Sequence, residues 1–188
     1  MLVLWKIDSV LVDYFGKFTD FMRNNEGIKV PDIVSDCHYQ HDWRNVDPVR
    51  IYRAKQRFND HFAEHLAIDK DMASIIKAVS QLHETSQMVA STPEGVTTNM
   101  AMRLFGNQPI DGIISGYEMV RLSFDMVFDT SEYILDCVRQ NVYGPAVPMC
   151  VDALWNQGWD GARVRSPQDC YNAIADLKEM IDKEMRLP

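Results

Sequence analysis

The first residues of the chain combine an apolar run with a polar turn. Leu2 to Trp5 are all apolar, and they lead directly into Lys6, Asp8 and Ser9 before apolar residues resume at Val10. A short apolar run bounded by polar residues predicts a buried strand. Open α/β sheets bind their ligands beyond the carboxyl ends of such strands, so the polar turn is a candidate site.

The rest of the chain alternates between helical and extended patterns. Apolar residues recur at helical spacing after the first strand and over residues 70–83, and Asp47-Pro48 is typical of a helix start. The apolar segment FDMVF predicts buried core. The further predicted elements are strands in SQMVAS, near IDGIIS, in EYILD and in GARVR, and helices over about 94–105, over about 149–156 and from Ser166 to about Arg186.

This alternation predicts a Rossmann-like α/β fold, a doubly wound parallel sheet in one domain that spans residues 1–188. The stretch of about 14–80 is longer than a simple crossover, so we expect part of it to form a small helical cap. Asp8, Ser91-Thr92 and Asp136 fall at the carboxyl ends of three predicted strands. These polar residues are therefore expected to line one crevice.

Composition excludes some classes of function. The 188 residues carry a net charge of −8, which argues against general binding to nucleic acid. The sequence has no apolar run long enough to span a bilayer, so no membrane association is expected. The four cysteines are not spaced as a disulfide framework, which favours reduced thiols and a cytoplasmic location.

Three segments resemble motifs of the haloacid dehalogenase (HAD) superfamily, and in particular its 5′(3′)-deoxyribonucleotidase-like branch. The first motif of that branch is a strand followed by D-x-D-G-V/T-L-x-D, and residues 6–13 (KIDSVLVD) match it. The second motif, T-S-P, resembles Ser91-Thr92-Pro93. The fourth motif, a strand that ends in two acids, resembles Ile134 to Cys137. The third-motif lysine falls on or near Met126.

The resemblance implies a Mg²⁺-dependent phosphatase, but several motif positions are altered. Lys6 stands where the family has its nucleophilic, metal-binding aspartate, and an ammonium group can neither form an acyl phosphate nor bind a cation. Asp8 matches the retained general acid. The other degenerate positions are Ser9 for glycine, Met126 for lysine and Cys137 for an acid.

The alteration suggests a physical role for Lys6. Without a metal, carboxylates at the strand ends would repel one another. Lys6 is expected to place one positive charge there and to pair with Asp8 and Asp136, as a built-in substitute for the cation.

Three functions are compatible with this pattern. The first is a pseudophosphatase that binds a protein partner or a small anionic ligand, the anion held at Ser91 and Thr92, with no cofactor expected. The second is an active phosphatase or nucleotidase with a rearranged site, which would use Asp8 or Asp136 as catalytic residues and would need Mg²⁺. The third is a structural or assembly component. A homo-oligomer is compatible with all three.

Two other groups of residues are candidates for binding. Cys37, His41, His61 and His65 have a spacing that could ligate Zn²⁺, although it matches no common zinc motif and surface histidines are the simpler interpretation. Trp43, Arg44 and Tyr52 combine residue types that are enriched at protein–protein interfaces. The alternative for these aromatics is that they seat the cap on the sheet.

Overall fold

The computed structural model describes residues 1–8, 10–30, 46–61, 65–91, 96–115, 119, 122–142 and 144–185. Within these ranges the chain alternates strands with helices. The strands are β1 (Leu2–Lys6), β2 (Ser86–Ser91), β3 (Gly112–Ser115), β4 (Met126–Asp129), β5 (Val147–Val151) and β6 (Arg163–Val164). The helices are α1 (Tyr14–Asn24), α2 (Pro48–His61), α3 (Lys70–Val79), α4 (Thr98–Phe105), α5 (Glu132–Arg139) and α6 (Pro167–Glu184).

The six strands form one parallel sheet in the order β3-β2-β1-β4-β5-β6. The first strand lies inside the sheet, where Val3 is in register with Gln87 of β2 and with Met126 of β4. The strands are added on one side of β1 as far as β3 and on its other side from β4 to β6, so the switch point lies between β1 and β4. In open parallel sheets this switch point is where ligands bind.

Helices cover both faces of the sheet. Trp5 and Phe128, whose rings stack at 4.3 Å, belong to a core that includes residues of α3, α4 and α6. Leu4 and Val127 point to the opposite face and pack with Val138 of α5. The alternation follows from the strand geometry, because neighbouring residues of a strand face opposite sides. The predicted doubly wound α/β fold is confirmed.

The two helices α1 and α2 pack through aromatic side chains. Phe58 of α2 contacts Tyr14, Phe18 and Phe21 of α1 with ring centroids 5.3–5.6 Å apart. The third helix between β1 and β2, α3, packs instead on α6 along the sheet. The helix pair α1–α2 is thus the described part of the segment in which a cap was predicted.

Two sequence predictions about β4 and β5 are wrong. EYILD is a helix, α5, which Ser131 caps by accepting a hydrogen bond from the Ile134 amide, and Leu135 and Val138 form its buried face. The strand is the preceding segment, Met126–Asp129. The helix predicted over about 149–156 is also wrong, because Met149 and Cys150 lie buried within β5.

In the described part of the chain, no helix has both the length and the apolar character that crossing a membrane would require.

Candidate functional site

Charged side chains meet at the switch point between β1 and β4. Lys6 ends β1, and its Nζ lies 3.6 Å from Oδ1 of Asp129, which ends β4. The two side chains are only 11% and 4% exposed. They border a small cavity of about 60 Å³ whose other lining residues, among them Leu4, Met119 and Ile134, are mostly apolar. An ion pair is therefore held at the carboxyl edge of the sheet with little access to water.

Asp8 lies fully buried in the turn after β1. Its Oδ1 accepts a hydrogen bond of 2.5 Å from the backbone N–H of Val96. The turn is closed by the amide of Val12, which donates to the carbonyl of Ile7 at 2.9 Å. Asp8 is thus held by the amide of Val96, within a turn that a backbone hydrogen bond closes.

Tyr14 connects this acid to the helix pair α1–α2. Burial, and after it the negative charge of Asp8, raises the pKa of the Tyr14 hydroxyl, while its hydrogen bond to Asn59 acts in the opposite direction. That bond runs from the tyrosine hydroxyl to Oδ1 of Asn59 at 2.9 Å. Tyr14 is therefore a neutral hydrogen-bond donor between Asp8 and α2.

Ser91 ends β2 at the same edge, and its hydroxyl group forms hydrogen bonds with other residues of the protein. Its Oγ donates to the carbonyl of Ile114 at 3.2 Å and lies 3.1 Å from Oγ1 of Thr98. A hydroxyl has one hydrogen, so Thr98 is the donor in the second contact. Ser91 has no further hydrogen to offer an anion in this arrangement. Thr92 and Ser9 lie outside the described residues.

Asp129, which sequence reasoning missed, takes the place that had been predicted for Asp136. Its Oδ1 accepts a hydrogen bond of 2.8 Å from the amide of Ser131. Asp136 is instead on α5, half exposed, and pairs with Arg139 at 2.6 Å. The prediction that Asp136 lies at a strand end beside Lys6 is therefore wrong. The signal for Asp129 was an apolar strand, MVF, that ends in an acid just before a serine cap.

The same shift moves two other motif positions away from the site. Cys137 is a residue of α5 and not a strand-end ligand position. Met126 is buried at the first position of β4, at the end of that strand opposite Asp129. Both assignments failed for the same reason, since they depended on the wrong strand.

A loop of residues 152–162, between β5 and β6, is tied to the end of β4 by a buried asparagine. Asn156 donates from Nδ2 to the carbonyls of Thr130 and Val151, at 3.1 and 2.8 Å. Its Oδ1 accepts from the amide of Ala153 and from Nη1 of Arg163. Arg163 also pairs with Asp152 at 2.7 Å. The loop is therefore a fixed part of this edge.

Among the described residues, the oxygen ligands at this edge do not fit Mg²⁺, which requires an octahedral set of oxygens. The ammonium group of Lys6 stands beside Asp129, and oxygen atoms of Asp8 and Asp129 already accept backbone N–H groups. Over the described ranges, no three His, Cys, Asp or Glu residues are grouped so that they could hold a metal ion.

The other predicted binding residues are only partly within the described ranges. Cys37, His41, Trp43 and Arg44 lie outside them, so the zinc set and most of the predicted partner surface stay predictions. His61 and His65 are exposed. Tyr52 is an exposed residue of α2.

The described cysteines, Cys137, Cys150 and Cys170, are free thiols. Burial raises the pKa of the Cys150 thiol to about 11 and that of Cys170 to about 12. Both are therefore protonated near neutral pH.

Comparison with known proteins identifies the fold through structure alone. No family model matches the sequence, and no curated protein matches it. Solved structures do match, among them HAD-superfamily hydrolases and β-phosphoglucomutases, with TM-scores of 0.53–0.61.

Three of these structures illustrate the likeness. A haloacid dehalogenase-like family hydrolase from Streptococcus pneumoniae is 11% identical, with 92% of this chain and 97% of that chain covered and a TM-score of 0.61. A β-phosphoglucomutase from Clostridium difficile is 10% identical over 96% and 98% of the two chains, at 0.58. A HAD family hydrolase from Deinococcus radiodurans, with bound phosphate and sodium, is 14% identical over 94% and 96%, at 0.58. The chain therefore has a HAD-like fold.

Proposed function

We propose that this chain is a pseudophosphatase, a HAD-fold protein that binds a partner or ligand and does not hydrolyse phosphate esters. The observation that carries the proposal is the ion pair between Lys6 and Asp129, 3.6 Å apart at the switch point. The position that resembles the family's nucleophile holds an ammonium group, which cannot form an acyl phosphate.

The ion pair supports a structural role for Lys6. Opposite charges at this separation attract by about 4 kcal/mol at an effective dielectric constant near 20, before the cost of desolvation. Asp8 and Asp129 would otherwise bring two negative charges to one edge of the sheet. A lysine fixed there neutralises one of them without a metal.

The second candidate is a phosphatase or nucleotidase with a rearranged site and Mg²⁺, in which Asp8 has the leading role. It is favoured by one observation, since Asp8 is fully buried and held by the amide of Val96 at the edge where such sheets bind ligands. A structural or assembly role is the third candidate.

An activity assay separates the first two candidates. We expect the purified protein to show no Mg²⁺-dependent hydrolysis of an aryl phosphate or of nucleoside 5′- and 3′-monophosphates. The matched control is the Asp8→Asn variant, which keeps the size of the side chain and removes its charge. Turnover by the wild-type protein that is lost in Asp8→Asn would reject the pseudophosphatase and support the second candidate.

A further inference from the structure

Two exposed apolar side chains belong to segments that adjoin the candidate site. Leu154, in the loop of residues 152–162, is 73% exposed, and Tyr133, in the first turn of α5, is 69% exposed. The loop contacts the start of α5, because Asn156 bonds to the carbonyl of Thr130 and the Glu132 carboxylate lies against Gly158. Glu132, Tyr133 and Leu154 are called the edge patch below.

The edge patch is rigid and carries one unpaired negative charge. The hydrogen bonds of Asn156 and Arg163 fix the backbone of the loop. The exposed side chain of Leu154 is therefore carried by a backbone that is held in place. The neighbouring acids Asp136 and Asp160 are paired with Arg139. Glu132 has no hydrogen-bonding or ionic partner among the described residues. A preorganised apolar surface with a single free charge loses little entropy when it binds.

A second patch, on α2, has the opposite charge. Val49 is 54% exposed and Tyr52 61% exposed, one turn apart on the outer face of the helix. The hydroxyl of Tyr52 accepts a hydrogen bond of 3.0 Å from Gln56, which holds its ring along the helix. Arg53 is exposed and, within the described ranges, makes no hydrogen bond or ion pair. Val49, Tyr52 and Arg53 are called the α2 patch.

The other two arginines of α2 already bond to Glu26, so they are not free to bind a partner. Arg57 forms a two-point ion pair with Glu26, at 2.6 and 2.8 Å, and Arg50 donates to the carbonyl of the same residue. Among the described residues of α2, one free cation is too few for a phosphate backbone, which is bound by several cations at once. One free cation beside an exposed tyrosine is instead typical of a protein contact.

We infer that copies of this chain associate with one another, with the α2 patch of one copy packed on the edge patch of the next. Each patch combines apolar side chains with one unpaired charge, and the charges of Arg53 and Glu132 are opposite. The contact joins two different surfaces, so it produces a two-fold dimer if both pairs of patches meet at once, and otherwise a ring or an open chain of copies. The inference does not depend on whether the protein hydrolyses phosphate esters.

Charge exchange between the two patches tests this contact. We expect the wild-type mass, measured by light scattering after gel filtration, to rise with protein concentration. Arg53→Glu and Glu132→Arg should each weaken association about tenfold or more, because each places like charges opposite each other. The double variant Arg53→Glu/Glu132→Arg restores an opposite pair and should recover association.

Two control variants match the test variants in chemistry. Arg103→Glu reverses an exposed charge on α4, and Met180→Glu adds a charge at an exposed apolar position of α6, as Leu154→Glu does in the edge patch. Of these three variants, Leu154→Glu should weaken association, and Arg103→Glu and Met180→Glu should leave it unchanged. A wild-type protein that stays monomeric at every concentration, or a double variant no better than the single ones, would overturn the inference.

Discussion

Lys6 provides a positive charge at a position where the surrounding fold favours negative ones. Its ammonium group lies 3.6 Å from Asp129, and both side chains are nearly buried. Removal of one member of such a pair leaves the other charge without compensation, which costs more than the pair contributes. Lys6 is thus the residue at which the chemistry and the stability of this edge are coupled.

Two substitutions at Lys6 separate its charge from the space that it fills. We expect Lys6→Met to lower the free energy of unfolding by about 2–4 kcal/mol, with no response to Mg²⁺. Lys6→Asp should be destabilised as well, but millimolar Mg²⁺ should raise its melting temperature, because the cation would then relieve the repulsion between carboxylates. Thermal unfolding with and without Mg²⁺ measures both effects.

The wild-type protein is the control for these variants. Its melting temperature should not change with Mg²⁺. Stabilisation of the wild-type protein by Mg²⁺, but not by the same concentration of Na⁺, would contradict the assignment of Lys6 as a substitute for the metal.

Asn156 is the residue that fixes the loop of residues 152–162 to the sheet. It is fully buried and bonds to three backbone groups and to Arg163. We expect Asn156→Ala to lower the free energy of unfolding by about 2–4 kcal/mol, since buried polar groups lose their partners. The neighbouring Gln157 is exposed, and Gln157→Ala should cost less than about 1 kcal/mol. Urea denaturation of the two variants would decide, and equal costs would mean that the loop is not held by Asn156.

At the scale of elements, the sequence predicted the sheet class but misplaced one strand. FDMVF and EYILD are both short runs rich in apolar residues, and periodicity does not distinguish a buried strand from one turn of helix at that length. Tertiary contacts determine which segment is the strand. Met126–Asp129 pairs with β1 and β5, and the helix that contains EYILD covers the sheet face that Val127 lines. The prediction of Asp136 as the strand-end acid is wrong for this reason.

The prediction for Lys6 depended less on the sheet as a whole. Its strand was continuous, apolar and followed by polar residues, so its carboxyl end could be placed from the sequence. The position of Asp129 could not be placed from the sequence, because only the pairing of β1 with β4 brings this acid close to Lys6. The sequence therefore identified the cation of the ion pair, and the fold identified its partner.

The α1–α2 helix pair belongs to the same apolar core as β1 and α3. Phe58 is buried among three aromatic side chains of α1, and this cluster is continuous with Trp5 and Ile76. A core shared in this way predicts that the described helices and the sheet unfold together as one cooperative unit.

Substitution of Phe58 tests whether the helix pair and the sheet unfold cooperatively. Phe58→Ala should lower the free energy of unfolding by about 3–5 kcal/mol, since it removes a buried aromatic ring and leaves a cavity. Tryptophan fluorescence and far-UV circular dichroism should report the same midpoint in urea. Tyr52→Ala, on the exposed face of the same helix, should change stability by less than about 0.5 kcal/mol. Two separate transitions in Phe58→Ala would instead show that the helix pair folds on its own.

The interior position of β1 has a consequence for how fast the chain folds. Val3 pairs with Gln87 and Met126, so neither neighbour of this strand is close to it in sequence. The entropy of closing both long loops is lost before the apolar surface of β1 is covered. Folding should accordingly be slower than that of a helical bundle, because both pairings of β1 join residues that are distant in sequence. Until residues 126–129 arrive, one edge of Leu2–Lys6 has no strand beside it, and this interval is when the chain is most exposed to aggregation.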